Sequence, residues 1–103
     1  MEIKLAEQIT HKGITAGFAL VNGWQIDTTD IICDMPGASA TRSFNNKRNY
    51  TVVLNGVFIG NIVSMSGGRF ASISESRENI YSATGYDAEL KCFIELIAAY
   101  YKG

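Results

Sequence analysis

Proline occurs once in this chain, at Pro36, and no low-complexity tract accompanies it. Chains that stay disordered are short of apolar residues and rich in proline and charge. Here 47% of residues are hydrophobic and 18% charged, the balance of a folded globule. Histidine is also single, at His11, so any histidine-dependent triad or proton shuttle would have to use it. Cysteine occurs twice, as Cys33 and Cys92, too few for a disulfide-dense scaffold or a four-cysteine zinc site. No apolar run approaches the roughly 18 residues that span a bilayer as a helix. The segment MEIKLAEQITHK alternates polar and apolar residues where an export signal would carry an unbroken apolar stretch. The chain is therefore expected in the cytoplasm, away from membranes, with both cysteines reduced.

Acidic residues are missing from one long stretch. Between Met35 and Ser74 there is no Asp or Glu, whereas Arg42, Lys47, Arg48 and Arg69 all fall inside it, a local balance of +4. The remaining residues hold all 10 acids and the other five bases, a balance of −5, so the net charge of −1 conceals a segregation. Such segregation fits a surface that binds phosphates or a partner, or a solvated loop whose charges balance acids brought near it by the fold, and the second is the commoner case.

Chemical motifs are absent too. There is no P-loop, no dinucleotide fingerprint and no serine or cysteine in a nucleophile elbow. Asp27, Asp30 and Asp34 lie close together but lack the glycine bend and closing glutamate of a calcium loop. Ser66-Gly67-Gly68 reads as a turn rather than an anion nest. No enzymatic activity, cofactor or metal ion is expected.

What the chain does carry is hairpin chemistry. Asn-Gly occurs twice between apolar runs, at Asn22-Gly23 and Asn55-Gly56. Both central residues of a type I′ turn need positive φ, which Asn tolerates and Gly adopts freely, and that turn matches the twist of paired strands. The first pair predicts a hairpin over about 14–28, joining Ile14–Val21 to Trp24–Asp27. The second joins Tyr50–Leu54 to Val57–Met65, with Leu54 opposite Val57 and Val52 opposite Ile59. A turn at residues 66–68 then returns the chain along Arg69–Ser74, giving a meander over 50–74. Asn79–Ala83 fits a further strand, as do Ile3, Leu5 and Ile9, and Lys12-Gly13 fits an exposed turn. The stretch 34–49 reads as a long polar loop, a feature often functional in small domains.

Residues 87–101 predict one amphipathic helix. Asp87 stands at the N-cap position, and Leu90, Phe93, Ile94, Ile97, Ala98 and Tyr101 recur with helical period on one face. Residues 1–103 therefore read as a single α+β domain. Its antiparallel sheet has four to six strands, made of Asn-Gly hairpins and a meander, and is packed by one C-terminal helix.

Period-two alternation places Val52, Leu54, Val57, Ile59, Val63 and Met65 on one side of the meander and Val53, Phe58 and Ile62 on the other. Both sides are apolar, and Cys92, Leu96 and Tyr100 widen the apolar surface of the helix. A second covering layer is therefore expected: the N-terminal hairpin, the 34–49 loop, or a second copy of the chain in a homodimer.

The binding candidates are Arg42, Phe44, Lys47, Arg48, Tyr50 and Arg69. Cations interleaved with aromatics can grip phosphates while a ring stacks on a base, or can meet an acidic protein surface. Three strands followed by a helix, with Gly68-Arg69-Phe70 in the third strand and Gly85-Tyr86-Asp87-Ala88-Glu89 before the helix, loosely resemble the β-β-β-α DNA-binding domains of phage integrases over about half the chain. Those domains carry many Lys and Arg on their strands, where this chain has Arg69 alone, so no membership is assigned. The leading expectation is a small non-enzymatic regulator or inhibitor acting by protein–protein contact, of the kind phages and mobile elements use against host systems. The alternative is a nucleic-acid-binding module built on the 35–74 segment.

Overall fold

The computed structural model of the chain describes residues 3–21, 24–25, 31–35, 37–43 and 48–102. The strands run in chain order as β1 (Ile3–His11), β2 (Ile14–Val21), β3 (Trp24–Gln25), β4 (Ile31–Cys33), β5 (Ala38–Arg42), β6 (Tyr50–Leu54), β7 (Val57–Met65), β8 (Arg69–Ser74) and β9 (Asn79–Thr84), followed by the helix α1 (Ala88–Lys102). Every pairing is antiparallel. The order across the sheet is β1-β2-β4-β5-β6-β7-β8-β9, with the two-residue β3 set against the end of β2. The class is α+β as expected, but the sheet is larger than four to six strands: eight strands form a curled half-barrel around one helix.

Turn chemistry explains most of the connections. Asn55 and Gly56 both have positive φ, 53° and 81°, and Leu54 pairs with Val57 as expected. Lys12 and Gly13, at 53° and 76°, close the β1–β2 hairpin in the same way, with His11 opposite Ile14. Ser66–Gly68 forms a single 3-10 turn that returns the chain along β8. The Asn22-Gly23 turn lies outside the described residues, as do Ile26 and Asp27 of the strand expected after it. Val21 pairs with Trp24 and Leu20 with Gln25 on either side of that turn.

Two further expectations, about the chain path, are corrected. The stretch 34–49 is not one polar loop, because Ala38–Arg42 forms β5 between β4 and β6 with Ala38 and Ala40 buried. Its small side chains have weak strand propensity, yet they suit a strand facing a crowded interior. The register of β7 also differs. Val52 opposes Gly60, not Ile59, because a bulge shifts the β6–β7 pairing between Val52 and Val53. Ile59 and Ile62 consequently both turn inward and are buried, while Val63 and Met65 move to partly or fully exposed positions.

The bulge lets the helix approach closely. A Cβ on Gly60 would lie 2.3 Å from the Ile73 carbonyl oxygen and 2.9 Å from Leu96 Cδ2. Glycine is therefore the residue that allows α1 to settle against β7 and β8. Phe93, Ile94, Leu90 and Ile97 are buried as the helical period required. Ala88, Cys92 and Leu96 are buried too, so the interior covers roughly two-thirds of the helix circumference at 3.6 residues per turn. The apolar width of the helix thus meets the curl of its own sheet, from β1 and β2 on one side to β7, β8 and β9 on the other. Tyr101, assigned to the buried stripe by period, is instead exposed and packs edge-on against Tyr100. The core joins Tyr50, Val52 and Leu54 of β6 with Ile59 and Ile62 of β7 and the inward face of the helix. No helix among the described residues is long and apolar enough to cross a membrane.

Candidate functional site

Antiparallel order brings alternate strand ends to the same rim. The end of β5, the start of β6, the end of β7, the start of β8 and the end of β9 all meet where α1 begins. Arg42 stands at the end of β5, directly opposite Tyr50 on β6. Arg69 opens β8, opposite Met65 on β7 and Thr84 on β9. Arg48 precedes β6, and its guanidinium lies 5.6 Å from the ring centroid of Phe70, the residue after Arg69. A cation over an aromatic face at that distance is attracted by the ring quadrupole. Four of the six expected binding residues thus share one rim, although 27 positions separate Arg42 from Arg69 in sequence. Phe44 and Lys47 lie outside the described residues, and so do Asp27 and Asp30.

The chain on either side of residues 44–47 is firmly held. The Ser43 backbone N–H donates to the Asn49 carbonyl at 2.7 Å, and Ser64 N–H donates to Asn49 Oδ1 at 2.8 Å. Those bonds tie the bases of that segment to each other and to β7.

The four placed residues differ in role. Tyr50 is only 1% exposed, so its ring belongs to the core and not to a stacking surface. Its hydroxyl donates to Glu89 Oε2 on the first turn of α1, at 2.5 Å. Arg42 lines a cleft of about 250 Å³ with Glu89, Glu7, Ala6, Phe18 and Leu20. The +4 stretch is therefore acid-free in sequence but not in space, because Glu7 and Glu89 are brought to Arg42 by β1 and α1. Arg48 and Arg69 remain exposed on the outer lip.

Two large exposed side chains that sequence patterning did not single out complete this lip. Met65, opposite Arg69, is 45% exposed, and Tyr86, two residues beyond the end of β9, is 87% exposed. The signal for Met65 lay in the Gly60 bulge, which reverses the face on which Met65 falls. The signal for Tyr86 lay in the Gly85 break, which lifts it off both β9 and α1.

The titratable groups elsewhere have structural surroundings. Both cysteines are free thiols. Burial is the main cause of a rise in each thiol pKa, to about 12 for Cys92. His11 binds Glu95 rather than a nucleophile, with Nε2 to Oε2 at 2.7 Å. Asp34 accepts a long hydrogen bond from Thr15 N–H at 3.3 Å. Among the described residues, no three His, Cys, Asp or Glu side chains gather as metal ligands would. The chain matches no protein-family model, no curated protein and no solved structure.

Proposed function

We propose that this chain is a small non-enzymatic binding protein that docks on another protein through the lip formed by Arg48, Met65, Arg69 and Tyr86. The observation that carries this reading is the exposure of Tyr86 and Met65 beside two arginines on one sheet end. Arg, Tyr and Met are the residue types enriched at the centres of protein interfaces, where a few anchors supply most of the affinity. The matching partner surface is acidic with an apolar pocket. A regulator or inhibitor of a host system, carried by a phage or mobile element, would act in this way.

Capture from the native host with this chain as bait tests the proposal. One or a few proteins should be retained after nuclease treatment. Retention should fall at least tenfold with Tyr86→Ala or Arg69→Glu and should be unchanged with Phe58→Glu at the other end of β7. Retention that survives both lip variants would overturn it.

A second reading rests on the three arginines of the acid-free stretch that share the rim. If the lip binds nucleic acid, affinity falls steeply with salt, and Arg48→Ala and Arg69→Ala each lower the log–log slope by about one. Capture that disappears on nuclease treatment would select this reading over the first.

A further inference from the structure

The half-barrel is joined unevenly on the two sides of β2. Toward β1 the ladder runs the length of the hairpin, from Ile3–Val21 to His11–Ile14, broken only by a bulge between Ala6 and Ile9. Toward the rest of the sheet, among the described residues, β2 is joined through β4 at Ala16–Cys33, Gly17–Ile32 and Phe18–Ile31, because from Leu20 onward β3 takes its edge. The Asp34 N–H extends that junction by one bond, donating to the Thr15 carbonyl at 3.0 Å. Ile14 and Ala16 are the hairpin residues that belong to the buried core cluster, with Ile9 and Phe18 partly buried against it. Alanine and glycine at the centre of the junction bury little apolar surface, so this seam is held less firmly than the ladders around Tyr50, Ile62 and Phe93.

The two ends of the hairpin meet the larger body in different ways. At the mouth of the curl, Ala6, Glu7, Phe18 and Leu20 of the hairpin face Arg42 of β5 and Glu89 of α1 across the cleft of about 250 Å³. Walls separated by a cleft lack the close packing that would hold them together. At the other end, Glu95 of α1 takes both residues of the hairpin tip, His11 Nε2 at 2.7 Å and Lys12 Nζ at 2.8 Å. Charge-assisted bonds of this kind are strong, yet they part without repacking a core.

We infer that the β1–β2 hairpin is a flap, hinged along β4 and latched to α1 by Glu95, and that its opening widens the mouth cleft. Strand β3 travels with the flap, since Gln25 and Trp24 pair with Leu20 and Val21. Phe18 and Leu20 then draw away from Arg42 and Glu89, so one wall of the cleft moves while the other stays with β5 and α1. Openings of this kind break the backbone bonds at the hinge and leave the rest of the fold closed. Arg48, Met65, Arg69 and Tyr86 all belong to the larger body, so the docking lip and the flap are tested independently.

Hydrogen exchange on the full chain, read by residue between zero and about 1 M urea, tests this. The amides that join β4 to β2, Asp34 among them, should exchange at least about tenfold faster than those of β6, β7 and β8 once intrinsic rates are corrected for. Their rates should depend little on urea, because flap opening exposes little surface, whereas the β6–β8 rates should rise steeply. Glu95→Gln should speed the hinge amides about tenfold by releasing the latch. Tyr50→Phe removes a bond between β6 and α1, both in the larger body, so it should speed the β6–β8 amides about tenfold and leave the hinge amides unchanged. One common rate and urea dependence for the two sets in the parent chain overturns the inference. Hinge amides that ignore Glu95→Gln, or that Tyr50→Phe accelerates as much as it does those of β6–β8, overturn it as well.

Discussion

The carboxylate of Glu95, midway along α1, lies 2.7 Å from His11 Nε2 at the tip of the β1–β2 hairpin, 84 residues away in sequence. Lys12 Nζ donates to the other oxygen at 2.8 Å, and the His11 ring sits 6.3 Å from that of Tyr81 on β9. Strands β1 and β9 are the two ends of the sheet, so this cluster stands where the curl comes nearest to closing on itself. Open sheet edges invite pairing with other chains. The cluster restrains one edge against the helix and places it beside the other.

Glu95→Gln should destabilise the fold by about 1–2 kcal/mol near neutral pH, since it removes a charge-assisted acceptor shared by two donors. Burial alone would raise the Glu95 carboxyl, but the hydrogen bonds and charges of Lys12 and His11 outweigh it and hold the group below the usual carboxylate range. A depressed folded-state pKa contributes stability above the ordinary value of about 4.3, and that stability is lost as pH falls through the lower folded value. Urea denaturation should therefore show the parent chain and Glu95→Gln converging below about pH 4. A constant difference from pH 7 to pH 3 would show that the carboxylate is not what holds this seam.

Tyr50→Phe tests the other anchor of the helix. The ring remains buried, but the hydroxyl no longer donates to Glu89, leaving a partly buried carboxylate short of one donor. The expected loss is about 1.5 kcal/mol, read from the urea midpoint at unchanged slope. Because Glu89 also lines the cleft with Arg42, Tyr50→Phe together with Glu89→Gln should cost less than the sum of the two single changes. Full additivity would mean that the two side chains act independently.

Gly60→Ala should cost about 2–4 kcal/mol, well above the near-neutral effect of adding a methyl group to an open strand position. The added Cβ would meet the backbone oxygen of Ile73, which cannot rotate away, as well as Leu96. Leu96→Ala clears only the second obstacle, so it should not rescue Gly60→Ala. A midpoint within experimental error of the parent would show that α1 does not sit this close to β7.

The difference between what the sequence announces and what the fold does has its centre at that glycine. The Asn55-Gly56 turn, the return at residues 66–68, β9 and the helix are all legible, because each depends on local chemistry: two residues of positive φ, or a helical apolar period. The bulge is not, since strict alternation carried from Val57 sends Ile62 outward, and one unpaired residue reverses every face after it. An isolated glycine inside an apolar strand was the available sign. Strand β5 escaped because Ala38-Ser39-Ala40-Thr41 has no large apolar residue, although its register against Tyr50–Leu54 is regular. The shared rim of Arg42, Arg48 and Arg69 was legible as a charge pattern. The acids that meet Arg42 were not, because only the curl brings β1 and α1 to it.

The two thiols report on that curl. Burial in the helix–sheet interior raises the Cys92 thiol to about 12, with the charges of Glu89 and Glu95 adding to the rise and a hydrogen bond with the Ala83 backbone opposing it. Cys33, half-buried on β4, is raised as well, but it is reachable from solvent. Thiolate is the reactive form, so an aromatic disulfide reagent at pH 8 should label Cys33 in the folded chain and leave Cys92 until the structure opens. In a Cys33→Ser background, the Cys92 labelling rate then measures opening of the helix from its sheet. Adding Glu95→Gln should accelerate it about tenfold for each 1.4 kcal/mol by which the seam is weakened, whereas Phe58→Glu on the convex face should leave it unchanged. Rapid labelling of Cys92 in the parent fold, at the rate of Cys33, would contradict the enclosure of α1 by the half-barrel.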